Sequence, residues 1–277
     1  LSARSGTGSL LWDLDPQGAA SFYFRIKPHI KGNLRGLFRR KGRLERAIKA
    51  TDFRRLDLVP ADFSYRNMDL QLEVANKPGT KLRKMVKPLR KQYRYLFLDC
   101  PPSISLTSEN IFAAADVLLV PVIPTTLSLR TLEQLQDFCK KKKYHHLRII
   151  PFLSMVDVRK KLHSDIVSEP PKSLKKMLES SIPYASDVEL MGQRRAPLET
   201  YARKSSFYGI DIRYTDSPHK SADHHKFFDC RGLCEDRHLF RHIPSRAIQY
   251  LFRKFIAFFY ALDEHESIDG LFFTLAH

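Results

Sequence analysis

Four short apolar runs constrain this chain more than anything else in it. Leu10 to Leu14, Tyr95 to Leu98, Val117 to Val122 and Leu147 to Met155 each stop at Asp, Pro or Ser. Runs of that length, apolar throughout rather than alternating, are what strands covered on both faces require. Between them, Ser108 to Ala115 is alanine-rich and helix-prone, and Leu129, Leu132, Leu135 and Phe138 recur at about one helical turn. The alternation predicts an α/β fold with a doubly wound, mostly parallel sheet and flanking helices. A later helix is expected near Ser186, because Ser186 and Glu189 have capping-box spacing ahead of Leu190 and Met191. Residues 31–50 surround Leu34, Leu37, Phe38, Leu44 and Ile48 with basic side chains and read as surface helix with loop.

Composition narrows the function classes. The 277 residues are 43% apolar, ample for a packed core, and the formal charge of +17 makes a polyanion an expected neighbour. Cys100, Cys139, Cys230 and Cys234 do not form a disulfide framework, which fits a reducing, cytoplasmic setting. Neither a signal peptide nor a transmembrane segment is recognisable; the apolar stretch from Ile248 to Leu262 is broken by Arg253 and Lys254.

In a parallel sheet, ligands bind outside the carboxyl ends of the strands. The first run ends in Asp13-Leu14-Asp15 and the second in Asp99. Three carboxylates at one edge repel each other and are costly to desolvate without a cation, so magnesium with bound phosphate is the economical occupant. The alternative is that each aspartate merely starts a turn or caps a helix.

Context gives these acids a further meaning. Asp13-Leu14-Asp15-Pro16-Gln17-Gly18 resembles the switch I motif of the ParA family, the deviant Walker P-loop ATPases that partition plasmids and chromosomes. Tyr95 to Ser103 is similar to that family's Walker B strand and switch II. The likeness continues through Glu109-Asn110, Ala114-Ala115-Asp116, Leu119-Val120-Pro121, Ser154 to Asp157, and Ile182-Pro183 to Arg195-Ala196-Pro197-Leu198. It covers roughly residues 9–204. The resemblance implies that Asp15 positions the water attacking the γ-phosphate, that Asp13 supports the magnesium site or the switch, and that Asp99 holds Mg2+ through a water. Gln17 and Gly18 would belong to the switch that senses the γ-phosphate, and Pro183 and Asp187 would lie near adenine. It also implies ATP and Mg2+ as cofactors, a homodimer when ATP is bound, nonspecific double-stranded DNA contacted by Arg194 and Arg195, a ParB-like stimulating protein, and a cytoplasmic, nucleoid-associated location.

The family's glycine-rich Walker A loop, with its lysine, precedes the switch I strand. Twelve residues precede Asp13, and Ser5-Gly6-Thr7-Gly8-Ser9 lacks the Gly-Lys-Ser/Thr ending. Two explanations stay open: a chain N-terminally truncated before the switch I motif, or a degenerate relative. Either way the expectation is impaired ATP binding and hydrolysis, with added ATP leaving the melting temperature unchanged.

Other basic clusters, Arg39-Arg40-Lys41, Lys140 to Lys143 and Lys175-Lys176, are DNA candidates or ordinary solvated surface. Arg159-Lys160-Lys161 with His163 is an alternative dimer or nucleotide face.

Residues 205–277 carry seven of the eleven histidines and fourteen of the thirty Phe and Tyr residues. The domain expectation is therefore 1–204 as a ParA-like ATPase domain and 205–277 as an atypical tail. Cys230, Cys234, His238 and His242 are spaced by four, too drawn out along one helix to converge on a zinc ion. Ile248, Leu251, Phe252, Phe255, Ile256 and Phe259 form an apolar helical stripe. A translated frameshift would account for the tail, in which case its residues carry no selected function. Besides a partitioning ATPase, two readings stay open: a non-catalytic DNA-binding or adaptor protein retaining the fold, and a ParA-like ATPase that positions another cargo.

Overall fold

The computed structural model describes residues 8–31, 33–39, 43–75, 78–178, 181–196, 201 and 272–276. They fall into two compact units. Of the described residues, the first holds those within 8–119, 138–149 and 272–276, and the second those within 120–137 and 150–201.

The first unit is built on β1 (Ser9–Asp13), whose five residues are all buried. On one side it pairs in parallel with β3 (Leu56–Val59), which carries the short antiparallel edge strand β2 (Lys49–Ala50). On its other side β1 pairs in parallel with β4 (Tyr95–Cys100), also buried throughout. Strands covered on both faces explain why these stretches read as unbroken apolar runs. β3 is less legible, because Asp57 interrupts it; the Tyr93 hydroxyl, donating to Asp57 Oδ2 at 2.6 Å, gives that carboxylate a partner.

Helices fill the intervals between the strands. α1 (Ala19–Tyr23) follows β1, and α2 (Asn33–Arg39) and α3 (Arg43–Ala47) turn Leu34, Leu37, Phe38 and Leu44 inward. After β3 come a 3-10 turn (Phe63–Asn67), α4 (Met68–Glu73), α5 (Lys81–Val86) and a second 3-10 turn (Lys87–Lys91). α6 (Leu106–Ala114) is closely packed on most of its circumference, burying Thr107, Ser108, Asn110, Ile111, Phe112 and Ala114. Its start is fixed by a capping box between Ser105 and Ser108. Asp69 of α4 reinforces it, accepting bonds from the Thr107 amide at 2.7 Å, the Thr107 hydroxyl at 2.5 Å and the Ser105 hydroxyl at 3.1 Å. The crossover from β4 through α6 leads to β5 (Val117–Val122). Within this unit the strand order is β2-β3-β1-β4-β7-β5. β7 (Phe272–Ala276) runs antiparallel between β4 and the start of β5, so the end of the tail supplies a strand to the sheet. The cysteine–histidine series and the Ile248–Phe259 stripe lie outside the described residues.

α7 (Thr126–Lys141) follows β5 and buries Leu132, Leu135 and Cys139 along one stripe. In the second unit, Ser154 N donates to Val122 O where β5 and β6 (Arg148–Leu153) end. Leu178 and residues 181–184 lie alongside: Ile182 N bonds Leu153 O at 2.8 Å and Tyr184 N bonds Val156 O at 3.0 Å. Among this unit's described residues are also α8 (Lys161–Ser168) and α9 (Ser186–Arg194). α9 starts where the sequence places it, but Ala185 holds the N-cap position and no side chain caps the helix. Among the described residues no helix is long and apolar enough to cross a membrane.

Candidate active site

Asp13 ends β1 and Asp99 lies near the end of β4, and the parallel register sets them directly beside one another. The backbone then holds them together, with Leu14 N donating to Asp99 O at 3.1 Å. β1 stops at Asp13, so Asp15 belongs to the turn that follows. There it accepts from Gln17 N at 2.9 Å through Oδ1, while its carbonyl accepts from Gly18 N at 3.0 Å. An aspartate that binds the backbone two residues on is a compact way to turn the chain out of a strand. Gly18, at φ 68°, opens α1 in the left-handed region; a Cβ there would lie 3.2 Å from both Ala61 Cβ and Pro28 Cβ. Gly18 is therefore required by the turn itself.

Burial dominates the electrostatics. Asp13 and Asp99 are fully buried and Asp15 is 4% exposed. Asp13 Oδ2 accepts from the Ser21 amide at 2.7 Å and the Ser21 hydroxyl at 2.6 Å, and that hydroxyl accepts from Ala61 N at 2.9 Å. Asp13 Oδ1 and both Asp99 carboxylate oxygens have no hydrogen-bond partner. Desolvation pushes Asp13 up to about 6 despite the Ser21 bonds, with the Asp15 charge adding to it. Asp99 is raised well above the ordinary carboxylate range, by burial first and then by Asp13 and Asp15. Asp15 is raised by burial.

Orphaned acceptor atoms in a cluster of repelling acids are the signature of a site that expects positive charge. Among the described residues no three His, Cys, Asp or Glu converge as direct ligands of one metal ion. The fit is instead to a hydrated cation, and Mg2+ characteristically keeps several waters while using only one or two carboxylates. Asp13 and Asp99 would hold it; once bound it would neutralise phosphate charge.

Gln17 is exposed beside this cluster. Ser21, which fixes the Asp13 carboxylate, is the functional residue that sequence reasoning misses; its only signal is a serine eight residues beyond the aspartate at the start of a short helix.

The other expected site residues belong to the second unit. Pro183 pairs with Val156 in a parallel bridge. Asp187 is in the first turn of α9, where its carbonyl accepts from the Tyr201 hydroxyl at 2.7 Å. Arg194, exposed in the last turn, stacks its guanidinium 4.6 Å from the centre of the Tyr201 ring. Arg195 ends the helix in the left-handed region at φ 46°. Asp157 is gripped by Arg159, whose Nε and Nη2 donate to its two carboxylate oxygens at 2.8 and 2.9 Å.

With this geometry in hand, comparison with known proteins is decisive on the family. A model described as an AAA domain matches residues 2–150. The chain belongs to this family, the ParA group of P-loop ATPases. Among its relatives, the chromosome partitioning protein ParA of Myxococcus xanthus is 31% identical over 166 residues, covering 58% of this chain and 59% of that protein. The sporulation initiation inhibitor protein Soj of Bacillus subtilis is 27% identical, covering 61% of this chain and 69% of its own length. The chain thus spans only about three-fifths of the length of the Myxococcus ParA it matches. Solved structures share the fold. Apo McdA from Cyanothece superposes with a TM-score of 0.61 at 20% identity, over 72% of this chain and 83% of McdA. Cobyrinic acid a,c-diamide synthase from Mycobacterium smegmatis, solved with a bound ATP analog and magnesium, superposes at 0.58 and 21% identity, over 72% and 84%. The fold of this ParA-family chain is accordingly P-loop NTPase-like, as the resemblance implies, and its sheet is the mostly parallel α/β sheet that the strand pattern predicts.

Proposed function

We propose that this chain serves a ParA-type partitioning ATPase of plasmids or chromosomes, with residues 1–204 as its ATPase domain and 205–277 as an atypical tail. The observation that carries this reading is the buried trio of Asp13, Asp15 and Asp99 at the carboxyl ends of β1 and β4, with three orphaned oxygens. Phosphoryl transfer needs chiefly positioning and charge neutralisation, and carboxylates on rigid strand ends provide both. In this reading Asp13 and Asp99 hold hydrated Mg2+, and Asp15, tied to the turn through Gln17, orients the attacking water. Ser21 keeps the Asp13 carboxylate in one rotamer. Gln17 and Gly18 act as the switch, and Pro183 and Asp187 line the adenine side. The magnesium supplies charge neutralisation for the phosphates.

Membership of the family supports a wider reading: ATP-dependent homodimerisation, nonspecific double-stranded DNA binding that includes Arg194 and Arg195, a ParB-like stimulating protein, and a nucleoid-associated cytoplasmic location. The test is genetic. Replacing Asp15 by Ala in the chromosomal or plasmid copy of the gene should raise the loss rate of the DNA it partitions. Unchanged segregation, with the variant protein present at normal levels, contradicts the proposal and favours a non-catalytic adaptor or another cargo.

A further inference from the structure

A one-sided run of positive charge on the first unit lies at the other end of its strands. From Lys81 to Arg94 the chain carries seven Lys and Arg residues and no acid. Leu82, Val86 and Leu89 of this stretch are buried, which turns Arg83, Lys84, Lys87, Arg90, Lys91 and Arg94 outward; all six are exposed. The later part of the run leads into β4 and lies at its amino end: Arg94 N bonds Gly8 O, just ahead of β1, and Arg90 Nη2 reaches Ala114 O at the end of α6. Exposed Arg54 and Arg55 sit at the amino end of the neighbouring β3, where Ser9 N bonds Arg55 O. Lys141 lies at the end of α7, in the segment that returns to this same rim through the bond from Arg148 N to Asp116 O.

The acids of this rim are largely spoken for. Asp57 accepts from Tyr93, Asp116 lies 3.8 Å from Arg90, and Glu109 pairs with Lys142 at 2.9 Å. Asp52 is the exposed exception. Among the described residues of the unit, the exposed large apolar side chains, Phe22, Phe63, Leu70, Val74 and Ile104, are on segments that follow strands or on α4 and its C-cap, not on those that lead into β3 and β4. Cations with no apolar wedge among the described residues suit a phosphate backbone better than a bilayer, where an apolar face must be buried.

We propose that the amino-terminal rim of the sheet, carrying Arg54, Arg55, Lys87, Lys91, Arg94 and Lys141, is a docking surface for the phosphate backbone of double-stranded DNA. The inference rests on the DNA-binding part of the preceding proposal and assigns it a second surface, separate from Arg194 and Arg195. At about 4.8 Å per strand, β3 to β5 spans about 19 Å, enough to face about five phosphates of one strand of a duplex. The carboxylate cluster is at the opposite ends of the same strands, so DNA on this rim leaves the metal site open.

The experiment is fluorescence anisotropy of a labelled 30-base-pair duplex with the full 277-residue chain, without nucleotide, between 50 and 300 mM KCl. The fourfold variant Arg54→Gln, Lys87→Gln, Lys91→Gln, Lys141→Gln alters only exposed side chains. It should lower the slope of log K against log salt by about 3 to 4 and weaken binding at 100 mM by at least about a hundredfold. The charge-preserving variant, Arg54→Lys combined with Lys87→Arg, Lys91→Arg and Lys141→Arg, should bind like the wild type. Arg194→Ala with Arg195→Ala should leave most of the slope in place. Duplex binding by the wild type that the fourfold variant retains in full overturns the rim while leaving the DNA-binding reading intact. No duplex binding by the wild type at 50 mM salt overturns both. Co-sedimentation with phosphatidylserine vesicles in the absence of duplex binding also overturns the assignment, in favour of a membrane.

Discussion

Neutralising one buried acid of the site should stabilise the chain. Asp13 titrates at about 6 in the folded protein against 3.8 in an unfolded chain, so the folded state holds this proton more tightly. Between those two values the native form binds more protons than the unfolded one, and stability therefore falls as pH rises from about 4 to 6 and stays low above. At about 1.4 kcal/mol per pH unit the penalty from Asp13 is about 3 kcal/mol at neutral pH. Asp15 and Asp99 shift in the same direction and add to it. In Asp13→Asn, the amide oxygen can keep both Ser21 bonds, while the amide nitrogen replaces Oδ1, which has no partner, next to Asp99. Urea unfolding followed by the fluorescence of Trp12, the only tryptophan, reports on the strand itself. At pH 7.5 and without divalent cations the variant should be more stable by about 3 kcal/mol, or about 6–12 °C in Tm, and the gap should close near pH 4. A variant less stable than wild type at pH 7.5 by more than about 1 kcal/mol, or a difference that ignores pH, refutes the reasoning.

Three further outcomes are expected. Gly18→Ala should cost about 1–2 kcal/mol, because it forces a Cβ into the left-handed region against Ala61 and Pro28; a neutral effect on the urea midpoint would contradict the turn geometry. Asp69→Ala should cost about 1–2 kcal/mol through loss of the bonds at the start of α6, and Asp69→Asn should recover part of it. His163 is buried, its Nδ1 accepts from Asp157 N at 3.1 Å, and its pKa is lowered by burial and then by Lys160. The unfolded chain thus takes up this proton first, so the contribution is complete above pH 6.5 and declines as pH falls below it; His163→Asn should flatten the stability profile between pH 5 and 6.5, and an unchanged profile would remove His163 from this role.

The legible parts of the fold are those whose signal is local. β1 and β4 announce themselves as apolar runs ending in aspartate, and their register makes neighbours of acids 86 positions apart in the chain, Asp13 and Asp99. α6 and α7 show their helical pattern directly. β3 escapes a sequence reading because Asp57 breaks a four-residue run, and its compensation comes from Tyr93, far along the chain. β7 carries no local mark of its place, since strand pairing across more than 150 residues is decided by tertiary contacts. The carboxylates are found by residue type and position, whereas Ser21 is not, because serine at a helix start is ordinary. The basic rim is hidden for a similar reason: the run from Lys81 to Arg94 looks like solvated helix, and only the chain path unites it with Arg54 and Lys141.

Manganese binding, read by loss of the free-ion EPR signal, tests the carboxylate site most directly. The wild-type chain should take up one Mn2+ saturably at about millimolar concentration, with Mg2+ competing, and Asp99→Asn should weaken that uptake about tenfold or more. No saturable uptake by the wild type, or uptake that Asp99→Asn leaves unchanged, would contradict the account.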